Sequence, residues 1–364
     1  MDKKTRREIL KKYGASPVEI QELLEYNKNK FQATCNNVNT GDEKFIEVWK
    51  LYKKEAEVYG VYNTLRKYMP QFHFEIREGI SQTEEYKEVT LRGKSIDAIC
   101  AAENFELIEP DALELEIYPT PVGQIPILFT PNNSDFEKLV RATVYRNEPV
   151  VIPDSMGACI VRGYNNWDRI RRYKEKWTKE NIDGKWQDEF KQIIPDKELY
   201  QDKFIILSNK FYSGIAPEQV GMNANEWRKA SLTMRRAHEC THYVTLRLFG
   251  SMQNRVQDEI IADFFAILEA MGEYRPELAL LFFGLENYPK YRNSGRLENY
   301  RGNPSLSDSS FDILKKITID AVMNMNRVYL ENKEVLNSKQ GKLKLIKKLT
   351  GVSLEELADG LKIN

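Results

Sequence analysis

The sequence predicts an α+β fold, mainly helical with a small mixed sheet. Three observations carry that expectation. Apolar residues recur at three- and four-residue steps over about the first 70 residues and again beyond about residue 225. Between Ala112 and Thr130 the period shortens to two, most clearly in Leu113-Glu114-Leu115-Glu116-Ile117-Tyr118. Further short apolar runs, at 149–152 and 203–208, are separated by helical patterns.

Taken in order, residues 3 to about 70 read as helices. Ser16-Pro17-Val18-Glu19 combines an N-cap, a proline at the first helical position and a glutamate three residues after the cap. A long helix is expected after Asp42, with Phe45, Val48, Trp49 and Tyr52 on its apolar face, running to about Tyr68 before Pro70. His73, between Phe72 and Phe74, reads as a structural residue in a short strand or turn. Strands are expected at 113–118, 125–129 and 149–152, with a helix at 134–145. The turn at Asp154-Ser155-Met156-Gly157 has neither a nucleophile elbow nor a phosphate loop, and reads as scaffold. Trp167 to Trp177 carries Arg169, Arg171, Arg172, Lys174 and Lys176 among aromatics; Asp168 and Glu175 dilute the charge, so a solvated helix face is expected. Residues 203–208 form the last clear strand. Later helices are expected from about Asn225 to Phe249, from about Asn254, capped with Gln257, to Met271, and at 276–283, 311–329 and 342–361. Thr350-Gly351-Val352-Ser353 resembles a helix-turn-helix corner, but Glu355, Glu356 and Asp359 would repel phosphates, so a docked helix pair is the better reading.

The 364 residues suffice for one large core or two moderate ones. Lys plus Arg and Asp plus Glu are equal at 54 each, so no global field favours nucleic acid or an anionic membrane. There is no apolar run long enough for a transmembrane helix and no apolar signal core after the basic start. Cys35, Cys100, Cys159 and Cys240 show no CxxC spacing and read as buried thiols in a reducing cytoplasm.

Only three histidines occur, and two of them stand four residues apart in His238-Glu239-Cys240-Thr241-His242. At about 100° per residue both imidazoles share one helical face and can close on one metal ion. Glu239 lies beside that position, where its carboxylate can take a proton from a water activated there. Cys240 points to the far side, about 200° from His238. After Gly250 stops this helix, a second antiparallel helix climbs back. Both segments measure about 10 Å, which brings Glu259 level with His242 as a third ligand. Ala262, Ala266 and Ala270 would let the helices approach closely. Asp263, one turn on, can accept the outer N–H of a ligating histidine. Asp258 competes as a ligand but points about 100° away from Glu259.

His238-Glu239-x-x-His242 followed by Glu259-x-x-Ala262-Asp263 resembles the gluzincin branch of the zincin metallopeptidases, the thermolysin- and neprilysin-like enzymes. Neprilysin-like members carry E-N-x-A-D, and Ile260 departs from that asparagine. The resemblance covers about 30 residues. It implies Zn²⁺ held by His238, His242 and Glu259, Glu239 as general base, Asp263 orienting a histidine, and a peptide or protein substrate. The organisation expected is a helical region over 1–110 and a zincin-like, thermolysin-like metallohydrolase domain over 111–364. The alternative is a zincin-like binding or regulatory protein whose metal is structural. The polar stretch 288–302 is either a surface connection or the source of an oxyanion-stabilising group, Tyr291, Tyr300, Arg296 or Arg301.

Overall fold

A computed structural model of the chain describes residues 3–31, 40–98, 105–252, 255–293 and 295–360. They divide into two compact units, one of residues 1–40, 120–122 and 211–364, the other of residues 41–119 and 123–210. The boundary expected between 110 and 111 therefore falls inside the second unit, and the first forty residues belong with the C-terminal part of the chain.

Helices α1 (Lys3–Lys12) and α2 (Pro17–Tyr26) open the first unit, α2 with the capping box of Ser16 and Glu19 in place. What ties them there is a buried ion pair: Arg6 donates to Glu355 through Nε at 2.9 Å and a terminal nitrogen at 3.0 Å. Glu22 likewise accepts from Ser307 and Ser310.

The second unit holds α3 (Ile46–Tyr59), α4 (Val61–Tyr68), α5 (Glu84–Thr90), β1 (Glu114–Thr120), β2 (Gly123–Thr130), α6 (Asn133–Thr143), β3 (Ala158–Asn165), α7 (Trp167–Glu180), α8 (Trp186–Ile193) and β4 (Gln201–Ser208). The long helix expected from residue 42 to residue 68 is two helices, because Gly60 takes φ 79° and breaks the run. Residues 149–152 form no strand. Pro149 and Pro153 withhold amide donors there, and Arg141 takes the Val150 carbonyl. The strand order is β1-β2-β4-β3, with β4 parallel to β2 and antiparallel to β3. Residues 204–208, which by chain order alone qualify as an open edge for a peptide substrate, thus lie at the centre of the sheet with both sides paired. Trp49, Phe72, Phe105, Phe136 and Phe204 fill this unit's core. On α7, Arg169 pairs with Asp202 and both Arg171 and Arg172 with Asp168, which neutralises much of the basic stretch. His73 closes a turn of 3-10 helix, its Nε2 2.8 Å from the Arg66 carbonyl.

The first unit continues with α9 (Ala224–Phe249), α10 (Val256–Met271), α11 (Pro276–Phe283), α12 (Asp308–Asn332), α13 (Lys339–Gly351) and α14 (Leu354–Ala358). Helix α9 starts from the capping box of Asn223 and Glu226 and stops at Gly250, φ 66°. Asn254, expected to cap α10, lies outside the described residues, as do Cys35 and Cys100. Glu355 is fully buried against Arg6, so α14 is a docked helix and not a reading helix. No described helix is long and apolar enough to cross a membrane.

Candidate metal centre

Helices α9 and α10 pack against each other along much of their length. Ala262 and Ala266, both fully buried, carry no side chain that would hold the helices apart. That approach brings His238, His242 and Glu259 together, with ligand atoms all within 4.8 Å of one another. The two Nε2 atoms are 3.0 Å apart, and the Glu259 oxygens lie 3.5 Å from His238 Nε2 and 3.4 Å from His242 Nε2. A tetrahedral ion with bonds of about 2.0–2.1 Å separates its ligand atoms by about 3.3–3.4 Å, so the three fit one zinc-sized ion. Among the described residues this is the one such group of three, and it contains no cysteine.

The outer nitrogens explain why both Nε2 atoms face inward. His238 Nδ1 lies 3.0 Å from Asp263 Oδ1 and 2.8 Å from the Tyr212 hydroxyl, which itself donates to Asp263 at 2.7 Å. Both neighbours accept, so Nδ1 carries the proton and Nε2 keeps its lone pair. His242 Nδ1 sits 3.4 Å from Asp258 Oδ2, and both atoms are buried without a hydrogen bond. The two Nε2 atoms lie within hydrogen-bond distance, 3.0 Å, so an N–H on one ring can donate to the lone pair of the other. A metal ion held here would take the place of that proton.

Electrostatics lean the same way. Burial alone would lower the pKa of His242, but Asp258 and Glu259 override it and hold it well above 6.5. Carboxylates that draw a proton to an imidazole also draw a metal ion, and the two compete for the same nitrogen. Burial would raise Glu259 and Asp263. The histidines and Arg296 outweigh it and keep both below their usual range.

Of the remaining residues singled out in the sequence, Glu239 is partly exposed and makes no hydrogen bond or ion pair with any described residue. Its carboxylate is therefore available for proton transfer. Tyr300 belongs to the site: burial and its hydrogen-bonded neighbour Glu259 push its phenol well above 10. Tyr26 fixes the Tyr300 backbone by donating to its carbonyl. Tyr291 does not belong there. Its hydroxyl donates to the Gly295 carbonyl at 3.0 Å and accepts the Glu298 N–H at 3.1 Å, pinning the loop it sits in. Arg301 is tied to Glu298, the Leu306 carbonyl and Asp308. Arg296 reaches Asp263, the Tyr212 hydroxyl and Ser213, and lies 3.8 Å from Glu259. It thus supports the carboxylates behind the ligands.

Two functional residues escape sequence reasoning. Tyr212 precedes His238 by 26 residues with no spacing to betray it. Asp258 was legible only as a rival ligand; the 100° offset from Glu259 is what aims it at the outer nitrogen of His242.

No curated protein and no solved structure matches the chain. A family model does match, over residues 8–360, which spans both units and the whole of the metal centre. The chain therefore belongs to the family of unknown function DUF7005.

Proposed function

We propose that the chain is a zinc-dependent hydrolase of zincin type, a thermolysin-like metallopeptidase acting on peptide or protein substrates in the cytoplasm. The observation that carries this reading is the convergence of two imidazole Nε2 atoms and the Glu259 carboxylate, each imidazole backed by an aspartate, with Glu239 unengaged beside them. His238, His242 and Glu259 would hold the ion. When bound, it would supply Lewis acidity at an open coordination position. Glu239 accepts a proton from the attacking water and returns it to the leaving amine. Asp263, Tyr212 and Asp258 fix the imidazole orientations, and Arg296 offsets part of the carboxylate charge. The wide spacing of the four cysteines supports a reducing compartment.

Metal analysis of the purified protein, paired with cleavage of a peptide library with and without chelator, tests the reading. One zinc per chain and chelator-sensitive cleavage are expected. Glu239→Gln should lower cleavage by about 10²–10⁴-fold, the usual contribution of a general base, while keeping the zinc. Equal cleavage by wild type and Glu239→Gln would remove the base assignment. A zinc-loaded protein that cleaves nothing in the library would point to a structural metal.

A further inference from the structure

Within the second unit, away from any residue used above, a cleft of about 180 Å³ is lined by Gln71, Tyr86, Arg146, Arg162, Tyr164 and Asn165, among others. Two arginines line it and no carboxylate does. Among the described residues neither guanidinium has a hydrogen bond or an ion pair, although most arginines of this chain have one.

Both arginines reach the cleft from irregular backbone. Arg146 sits at φ 55° and Asn147 at φ 61°, two successive residues in the left-handed region. Asn147 holds that conformation. It is fully buried, its Nδ2 donates to the carbonyls of Gln71 and Phe74 at 3.0 and 2.8 Å, and its Oδ1 accepts from Tyr86 at 3.1 Å. Arg162 stands at a bulge in β3, where Arg162 pairs with Lys203 and Tyr164 with Asp202, so that Gly163, at φ 73°, is the extra residue. Bulges re-aim side chains at the edges of sheets, and β3 is an edge strand. Strained backbone persists only where its surroundings enforce it, and here two separate devices serve one cleft. The floor adds a donor: Gln71 accepts the Tyr164 hydroxyl through Oε1, and its amide nitrogen has no hydrogen-bond partner among the described residues.

We propose that this cleft binds the oxyanion group of a small ligand, a phosphate or a carboxylate, between the guanidinium groups of Arg146 and Arg162. Guanidinium forks match such oxygens two at a time, and these charge-assisted bonds are the strong ones. The proposal is independent of the metal centre.

Calorimetric titration of the full chain with inorganic phosphate, pyrophosphate and citrate, each at ionic strength matched with sodium chloride, is the test. Saturable binding of at least one is expected, and phosphate against citrate separates the two sources. Arg146→Gln and Arg162→Gln should each weaken it at least tenfold, whereas Lys179→Gln, on α7 and outside the cleft, should leave it unchanged. On the unaltered protein, the ligand should shift the amide resonances of Gly163 and Asn165, a readout that no folding defect can blur. No saturable binding of any probe, binding by both arginine variants as tight as by the unaltered protein, or shifts confined elsewhere would overturn the proposal.

Discussion

Each unit buries a cluster of charged and polar side chains, and the two clusters are built on different terms. In the second unit Asp202 accepts from Trp49 Nε1 at 2.8 Å, Asn166 Nδ2 at 2.6 Å and Arg169 at 2.7 Å, while Asp168 accepts from Tyr52 at 2.9 Å and Arg172 at 2.6 Å. With Arg171 also 3.6 Å from Asp168, two carboxylates face three arginines, so the cluster leaves no negative charge unmatched. In the first unit Asp258, Glu259 and Asp263 surround two imidazoles and have Arg296 as their arginine. Three carboxylates against the Arg296 guanidinium leave negative charge in excess when the histidines are neutral. A buried cluster whose carboxylates are all matched is scaffold. The cluster in the first unit carries negative charge that its own arginine does not match, which supports the metal-binding reading proposed above.

The comparison breaks most sharply at Glu259. Glu259→Ala removes a ligand and a negative charge together, and zinc measured by mass spectrometry should fall from one per chain to none, with any chelator-sensitive cleavage lost. The same outcome is expected of His242→Ala. Zinc retained at full occupancy in Glu259→Ala would show that α10 contributes no ligand.

Asp202→Ala probes the matched cluster. It strands Arg169, whose side chain is only 8% exposed, together with two buried donors. Breaking a buried pair in this way costs about 3–5 kcal/mol. Urea unfolding should report that loss while the zinc content stays unchanged. Burial, only partly offset by Arg169, lifts Asp202 to about 6. A carboxylate whose folded-state pKa is raised stabilises the fold when protonated, and that contribution is lost as pH rises through 6. Lowering the pH from 7 to 5 should therefore stabilise wild type relative to Asp202→Ala by about 1 kcal/mol. A pH-independent difference would mean that Asp202 stays ionised throughout.

Much of the candidate site was legible because helical geometry converts spacing directly into direction. A four-residue step from His238 to His242, and a helix hairpin of equal arms, suffice to place Glu259 and Asp263. Caps were legible for the same reason, as at Ser16 with Glu19. What stayed hidden depends on contacts remote in sequence. Nothing in the run at 204–208 says that β2 and β3 will flank it on both sides, since a buried centre strand and an apolar edge look alike. Tyr212 reaches His238 from a 3-10 turn where Ser213 takes φ 50°, a conformation no propensity marks. Tyr291 and Tyr300 share one polar loop, and only the fold separates the phenol that faces Glu259 from the one that bonds its own loop.

The finest distinction lies within the metal centre, between its two histidines. His238 has a double clasp at Nδ1, from Asp263 and Tyr212, and Arg296 in turn anchors Asp263. His242 depends on Asp258 alone, at 3.4 Å, with Thr245 a further 3.5 Å from that carboxylate's other oxygen. Asp258→Asn keeps a carbonyl oxygen for Nδ1–H but removes the charge, and Asp258→Ala removes both. Residues that orient metal-bound histidines typically contribute about 10–100-fold in metal affinity. Competition against a chelator of known affinity should show zinc binding weakened about tenfold in Asp258→Asn and more in Asp258→Ala, with the ligands unchanged. Tyr212→Phe should weaken it less than either, because Asp263 still holds His238. Unaltered affinity in both Asp258 variants would mean that His242 needs no carboxylate behind it, and that the resemblance between the two histidines ends at their inner nitrogens.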